Sequence, residues 1–307
     1  MGRQQTPCVL VTGASGFIGS TVVEALLARG YRVVATGRGD RSPDPISSGV
    51  NWVRWDAGRQ PLPDADWAEL DAIVHLAART DKAQSPESAQ AHFNVSVAAT
   101  FRLLEAARQH GVRRFVLGST GDALGPTAGP AREGAAAYRP ATFYGVAKAC
   151  AELLCRAYGS GPAAVVLRFF HPYGLRGERF LVNRLLRAVQ EGREVTVEGP
   201  EGIRLNPIWV GDVAEGICQA LEAARPGVFH LAGRETVTLR QLLELMGRLT
   251  GREPRVRMLL GPPPSGHAGR WGRARRALGF QPRVLLEEGL GRLLAGERER
   301  AGALRGE

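Results

Sequence analysis

Short apolar runs alternate with amphipathic stretches through the first half of the chain, the pattern of a parallel sheet covered by helices on both faces. Cys8–Val11 predicts a first strand, Phe17–Arg29 a helix ended by Gly30, and Arg32–Ala35 a second strand. Trp52–Trp55 and Ala72–Leu76 follow as strands, His92–His110 as a long helix stopped by Gly111, and Phe115–Leu117 as a fifth strand. Pro140 precedes a helix carrying Tyr144 through Tyr158, and Val165–Phe169 is the next strand. Beyond Phe170 the loops become rich in Gly, Pro and Arg. Helices are expected there at Arg179–Glu191, Val213–Ala224 and Leu239–Thr250, with a strand at Gly227–Leu231. Gly261–Gly266, with three consecutive prolines, is expected to be loop. The expected fold class is α/β, a doubly wound parallel sheet formed by 1–170 plus about 206–232. A smaller, discontinuous α/β lobe is expected from about 171–205 and 233–307.

A chain of 307 residues can bury a large core as one domain or two lobes. Its formal charge of +10 suggests nucleic acid until the arginines are located. Many lie in Arg270–Arg276 and in Arg292–Arg305, interleaved there with glutamates. That describes a solvated surface with a basic rim, a field favouring an anionic substrate. Sequence-specific DNA binding requires a recognition helix or a stacking platform, and neither is legible, so nucleic acid is not an expected partner. Cys8, Cys150, Cys155 and Cys218 are scattered without metal-ligand pairing, which points to reduced thiols, no metal site and a cytoplasmic protein. No run approaches the roughly 18 apolar residues of a membrane span, so no membrane association is expected. Residues 1–7 are polar and do not read as a signal peptide.

Against this background two features carry chemistry. Tyr144 and Lys148 stand four apart in Tyr-Gly-Val-Ala-Lys, and Lys148 is one of only two lysines, with Lys82, among 40 basic residues. Residues four apart share a helix face, so an ammonium can lie beside a phenol and lower a pKa that is otherwise about 10. Tyr144 is then an acid and base for use near neutral pH. The plainer reading is an aromatic packed on a helix beside a solvated lysine. The second feature is Thr12-Gly-Ala-Ser-Gly-Phe-Ile-Gly19, which follows a strand and opens a helix. Gly13 permits the tight turn, Gly16 lets the backbone approach a pyrophosphate, and Gly19 lets the helix pack on the sheet. Helix N–H groups then face the phosphates. The spacing has three residues between the first two glycines, where the common fingerprint has one or two.

An NAD-selective site carries an acid at the end of the second strand to accept from the ribose 2′-hydroxyl. Here Thr36-Gly37-Arg38-Gly39 offers a guanidinium that suits a 2′-phosphate, which favours NADP(H) over NAD. Asp56, after the third strand, is a candidate acceptor from the adenine amino group or, equally, a turn cap.

With these residues in hand, the chain resembles an extended short-chain dehydrogenase/reductase, of the NAD-dependent epimerase/dehydratase family that modifies nucleotide sugars, nearly end to end. The motifs are the glycine turn, Val74-His-Leu-Ala-Ala78, Leu117-Gly-Ser-Thr-Gly-Asp-Ala-Leu-Gly125, Pro140-Ala-Thr-Phe-Tyr-Gly-Val-Ala-Lys148, Leu167-Arg-Phe-Phe-His-Pro-Tyr-Gly174, Asn206-Pro-Ile-Trp-Val-Gly-Asp-Val-Ala214 and Arg273–Pro282. The resemblance implies a Rossmann-type fold and a Thr120, Tyr144, Lys148 triad, with Ser119 the runner-up for the hydroxyl position. It implies cofactor contacts from Gly13, Gly16, Phe17, Ile18, Gly19, Arg38, Asp56, Leu76, Ala77, Ala78 and Phe170, besides Tyr144 and Lys148. Substrate contacts would come from Thr80, Ser119, Asp122, His171 and Arg204. A homodimer through the His92–His110 and Tyr144–Tyr158 segments is also implied.

Several positions depart from the family pattern. Leu124 replaces a common tyrosine, Ser96 and His171 stand where asparagines are usual, and Asp122 is the one member present of the acid pair that dehydratases carry. The incomplete pair disfavours a 6-deoxy-forming dehydratase. Asp122 itself reads as a loop cap or a catalytic acid. The expected function is therefore hydride transfer at a carbinol or keto carbon, C4, of a nucleotide sugar, as 4-epimerase or 4-ketoreductase. Rivals are an NADPH-dependent reductase of a non-sugar carbonyl and a cofactor-binding redox sensor without turnover. Arg176, Arg179, Arg184 and Arg204 either pair with a diphosphate, which would favour the sugar reading, or, equally, form a solvated basic face.

Overall fold

The computed structural model describes residues 6–40, 42, 49–81, 83–127, 129–134, 138–159, 161–223, 225–261 and 266–303. Residues 1–5, at the polar start, and 262–265, within the predicted Gly261–Gly266 loop, lie outside them.

The elements in chain order are β1 (Cys8–Thr12), α1 (Phe17–Ala28), β2 (Arg32–Gly37), β3 (Val50–Arg54), β4 (Ala72–His75), α2 (Pro86–His92), a π-helical turn (Phe93–Ala98), α3 (Ala99–Gln109), β5 (Arg114–Thr120), α4 (Phe143–Ala157) and β6 (Ala163–Phe169). They continue with β7 (Pro172–Tyr173), α5 (Leu181–Gln190), β8 (Val195–Glu198), β9 (Arg204–Leu205), β10 (Ile208–Trp209), α6 (Val210–Ala223), β11 (Gly227–Leu231), β12 (Val237–Thr238), α7 (Leu239–Thr250), β13 (Val256–Leu259), α8 (Gly272–Leu278) and α9 (Leu286–Ala303).

Seven strands form one sheet in the order β11-β6-β5-β4-β1-β2-β3, and every pairing is parallel. Parallel strands are covered on both faces, which explains why β1 reads as an unbroken buried run. One apolar layer packs α1 and α6 against the sheet through Val22, Leu26, Val213 and Ile217. The opposite layer packs α3 and α4 through Leu103, Leu104, Ala151 and Cys155. The order reverses between β1 and β4, so a crevice opens beyond their carboxyl ends, where open α/β sheets bind ligands.

A third apolar cluster joins α5, α7 and α9 with β8 and β9 through Leu186, Val197, Leu205, Met246 and Leu290. Segment 271–280, in the stretch expected to belong to the second lobe, packs Ala274, Leu278 and Phe280 into the sheet layer instead. The predicted single helix His92–His110 is three pieces. The chain turns helical at Pro86, with Ser85 capping through the Ser88 amide, and passes through the π turn before α3.

Candidate active site

The crevice is built by backbone proximity. Gly13 has φ 68°, and a Cβ there would sit 2.7 Å from the Ala77 amide nitrogen and 2.9 Å from the Leu76 carbonyl carbon. A Cβ on Gly19 would overlap the Gly13 carbonyl. The turn is thus pressed onto the end of β4 from one side and onto α1 from the other. Thr12 locks the same corner: its hydroxyl lies 2.7 Å from His75 Nδ1 and accepts from the Leu76 and Ala77 amides, each at 3.2 Å. Sequence reasoning passed over Thr12 and His75, although their places at adjacent strand ends were the available signal. Burial drives the His75 imidazole down to about 3, with the Lys148 charge assisting, so it acts as a neutral hydrogen-bonding group.

Leu76, Ala77 and Ala78 line the β4 side half-buried, and Thr80 is exposed beyond them. Phe17 is buried against Phe180, ring centroids 4.7 Å apart, and Ile18 packs on the sheet layer. Arg38 is exposed immediately after β2. Asp56 accepts from the Gly58 amide at 2.9 Å, the turn-capping geometry.

Across the crevice, α4 starts at Thr142, whose hydroxyl accepts from the Gly145 amide at 3.1 Å. Gly145 lets that first turn approach the Asp122 carbonyl, which a Cβ would meet at 2.6 Å. The helix therefore sits tightly on the turn after β5, and Thr120 and Tyr144 come within hydrogen-bond reach. One helical turn on, Lys148 is 2% exposed and donates to the Gly118 carbonyl at 2.7 Å.

The expected lowering of the phenol pKa by Lys148 does not occur in this arrangement. Burial pushes the Tyr144 phenol up, the Asp122 carboxylate adds to the rise, and the hydrogen bond with Thr120 opposes it. The ammonium is committed to a strand carbonyl rather than to the phenol. Its own pKa falls to about 8 through burial, with Glu152 and then Cys155 drawing it back up. Ser119 faces away from this chemistry: it is buried and donates to Glu152 at 2.5 Å. Of the two hydroxyls weighed for the triad, Thr120 is the one beside Tyr144.

The remaining wall comes from the second half of the chain. Phe170 is buried beneath Gly121 and Gly269, where Cβ atoms would meet its ring at 2.7 and 2.5 Å. His171 adopts φ 47°, and its Nε2 lies 3.1 Å from the His267 carbonyl oxygen. His267 Nδ1 lies 3.8 Å from an Asp122 oxygen, and its amide donates to the Arg204 carbonyl at 2.8 Å. Asn206 anchors this segment through two hydrogen bonds with the Gly269 backbone, at 2.8 and 3.0 Å. His267 was absent from the sequence expectations because nothing local marks it. Among the arginines considered for a diphosphate, Arg204 stands beside this cluster, whereas Arg176 pairs with Glu24 at 3.0 Å and Arg184 lies on the outer face of α5 along a groove with Arg187 and Arg193.

A glycine cradle at the reversal of strand order, faced by a tyrosine and a buried lysine one turn apart, defines a dinucleotide-dependent oxidoreductase fold. Residues 9–232 match the family model of the NAD dependent epimerase/dehydratase family, and the chain belongs to that family and is an enzyme. It is 33% identical over 304 residues to a dTDP-glucose 4,6-dehydratase of Streptomyces niveus, covering 92% of this chain and 90% of that protein. It is 31% identical over 310 residues to a UDP-glucose 4-epimerase of Mycolicibacterium smegmatis, covering 92% and 95%. Among solved structures, MoeE5 in complex with UDP-glucuronic acid and NAD superimposes with a TM-score of 0.81 at 28% identity, over 95% of this chain and 99% of that one. That neighbour contains NAD, and the NADP(H) preference read from Arg38 finds no support in it. Among the described residues, no helix is long and apolar enough to cross a membrane.

Proposed function

We propose that the protein oxidises and reduces a nucleotide sugar at C4, as a 4-epimerase or a 4-ketoreductase, with Thr120, Tyr144 and Lys148 as its catalytic residues. The observation that carries this reading is the alignment of Gly118, Thr120, Tyr144 and Lys148 across one strand–helix contact. A nicotinamide dinucleotide fits the glycine cradle, whose close backbone approach leaves no room for side chains at Gly13 and Gly19. When bound, it supplies the hydride acceptor and donor. Thr120 hydrogen-bonds the reacting sugar oxygen, Tyr144 takes or returns its proton, and Lys148, held to the Gly118 carbonyl, keeps a positive charge one helical turn away. Arg204, beside His171 and His267, meets the diphosphate, with Thr80 and His171 toward the sugar. In this reading 171–205 and most of 233–307 form the substrate lobe.

The test is to add UDP-glucose, UDP-glucuronic acid and dTDP-glucose separately to the protein with NAD or NADP and follow nicotinamide reduction and the C4 configuration of the recovered sugar. Inversion at C4 supports the epimerase, and oxidation of the sugar to a 4-keto product with accumulation of reduced nicotinamide, the ketoreductase run in reverse, supports the reductase. No reaction with any of them removes the proposal.

A second reading, dehydration, is favoured by one observation: the Asp122 carboxylate acts electrostatically on Tyr144 and lies 3.8 Å from His267 Nδ1, an acid–base pair on the same wall. Release of a 6-deoxy-4-keto sugar in the same assay would select it.

Arg38 decides the cofactor. Arg38→Asp is expected to weaken NADPH binding far more than NADH binding, measured by fluorescence titration, because only NADPH carries a 2′-phosphate for the guanidinium. Equal losses would assign the site to NAD.

The partner proposed for the exposed apolar side chains Phe93, Phe101, Phe143, Val146 and Leu153, on the π turn, α3 and α4, is a second copy of the chain. Phe101→Arg is expected to convert a dimer to a monomer in sedimentation velocity. A parent protein that is monomeric at every concentration would contradict this.

A further inference from the structure

Three consecutive residues of β5 are gripped by three residues on one face of α4. The Gly118 carbonyl accepts from Lys148, Ser119 donates to Glu152 at 2.5 Å, and Thr120 meets Tyr144. Positions 144, 148 and 152 are successive i, i+4 neighbours, so the register of the helix against the strand is one geometric unit. Its far end is fixed by a buried ion cluster. Glu152 is fully buried and receives Arg168 Nε at 2.9 Å, an Arg168 terminal nitrogen at 2.5 Å and the Tyr138 hydroxyl at 3.0 Å. Arg168, on β6, lies over the Tyr138 ring at 5.4 Å and leaves its other terminal nitrogen without a hydrogen bond.

A buried ion pair is weak evidence for stability, since apolar replacement of both partners is often neutral or better. This one does something that an apolar pair would not. Its carboxylate stands one turn from a buried ammonium that needs a counter-charge, and its reach to Ser119 places the neighbouring Thr120 opposite the phenol.

We propose that Glu152 is a positioning residue for the reaction: it keeps Lys148 in its charged form and, through Ser119, holds Thr120 in line with Tyr144. This rests on the reading of Lys148 as the catalytic lysine. The charged and titratable groups around that ammonium are Glu152 and Cys155 on α4, His75 on β4, Arg168 on β6, and Tyr144, with His92 beyond the phenol at a ring separation of 5.8 Å. His75 is neutral, burial pushes the Cys155 thiol up to about 12, and Arg168 is engaged by Glu152. The carboxylate of Glu152 is therefore the negative charge on which Lys148 depends.

The sequence makes a direct measurement possible, because Lys82 and Lys148 are its only lysines. In full-length Lys82→Arg protein labelled at lysine ¹³Cε, the single lysine resonance reports the titration of Lys148. Glu152→Gln is expected to move that midpoint to lower pH by roughly one unit, about a tenfold loss of the charged form above it. The double variant Glu152→Leu/Arg168→Met removes both buried charges together and is expected to fold, with the midpoint still displaced downward. Its reduction of NAD by UDP-glucose should be slower, with the pH profile displaced in the same direction, and Glu152→Asp should recover part of both. A folded double variant with the parent's lysine midpoint would overturn the proposal, as would failure of both the Gln and double variants to fold, which makes the pair purely structural. The titration needs no substrate. A displaced lysine in a protein inert toward every nucleotide sugar would therefore keep Glu152 as the counter-charge of Lys148 while removing the reaction that it is proposed to serve.

Discussion

Tyr144→Phe is expected to lower turnover by roughly 10²- to 10⁴-fold, the usual contribution of a positioned acid or base, while cofactor affinity and thermal stability stay near those of the parent. The substitution removes one oxygen and keeps the ring, so the packing against His92 survives. What is lost is the proton carrier. The phenol is costly to ionise in this setting, since burial and the Asp122 carboxylate both push its pKa up. A residue held at such a disadvantage without chemical use would be a poor choice for a crevice wall, and the hydrogen bond with Thr120 is what opposes the rise. Steady-state kinetics with the sugar identified by the panel, alongside a cofactor titration, checks the prediction. Unchanged turnover would show that another group moves the proton.

Gly19→Ala is expected to disable the protein by a different route. The new methyl group would overlap the Gly13 carbonyl, which belongs to backbone that is itself pressed against the end of β4. No side-chain rearrangement relieves that overlap, so α1 must move away from the turn. Overpacking of this kind costs about 1–3 kcal/mol, and more where backbone must shift. Loss of the cradle geometry should also abolish measurable dinucleotide binding. Gly291→Ala serves as the control: it lies within α9 with nothing inside 4 Å of the added carbon, so it should be neutral or raise stability by about 0.5–1 kcal/mol through helix propensity. Thermal denaturation and cofactor titration of both variants test the argument. Parent-like cofactor binding in Gly19→Ala would mean that the turn does not carry the phosphates.

The strands of the sheet and the helices α1, α4 and α7 were legible because each buries a continuous run or a regular stripe, and that constraint writes directly into sequence. The segment from Pro86 to Gln109 was legible only as helix. Ser85-Pro86-Glu87 marked its true start, but the π turn at Phe93–Ala98 answers to packing against α4 and leaves no local signature. The Glu and Arg content of α9 disguised it as solvated surface, although Leu286, Leu290, Leu293 and Leu294 repeat at helical spacing and face the third apolar cluster. Elements of two residues, such as β7, β9 and β10, exist only through their tertiary partners.

The site divides the same way. Gly13, Gly16, Gly19, Thr120, Tyr144 and Lys148 could be named because short-range spacing places them. The functions of Thr12, His75, Glu152, Arg168 and His267 depend on partners on other elements, 63 positions apart for Thr12 and His75 and 96 for His171 and His267, and periodicity says nothing about these. The corrected direction of the Tyr144 shift has the same origin: a helix face predicts proximity to Lys148, but not that Gly118 would take the lysine's hydrogen bond.

The most direct test uses UDP-glucose or its reactive counterpart from the panel carrying deuterium at C4, mixed rapidly with the protein and NAD or NADP. If C4 is the reacting carbon and Tyr144 removes the proton from its oxygen, transient nicotinamide reduction shows a primary isotope effect and the deuterium passes to the cofactor, returning to C4 of the inverted sugar where the reaction is epimerisation. Turnover of the sugar with the deuterium lost to water, or kept at C4 while the cofactor stays oxidised throughout, would contradict the account.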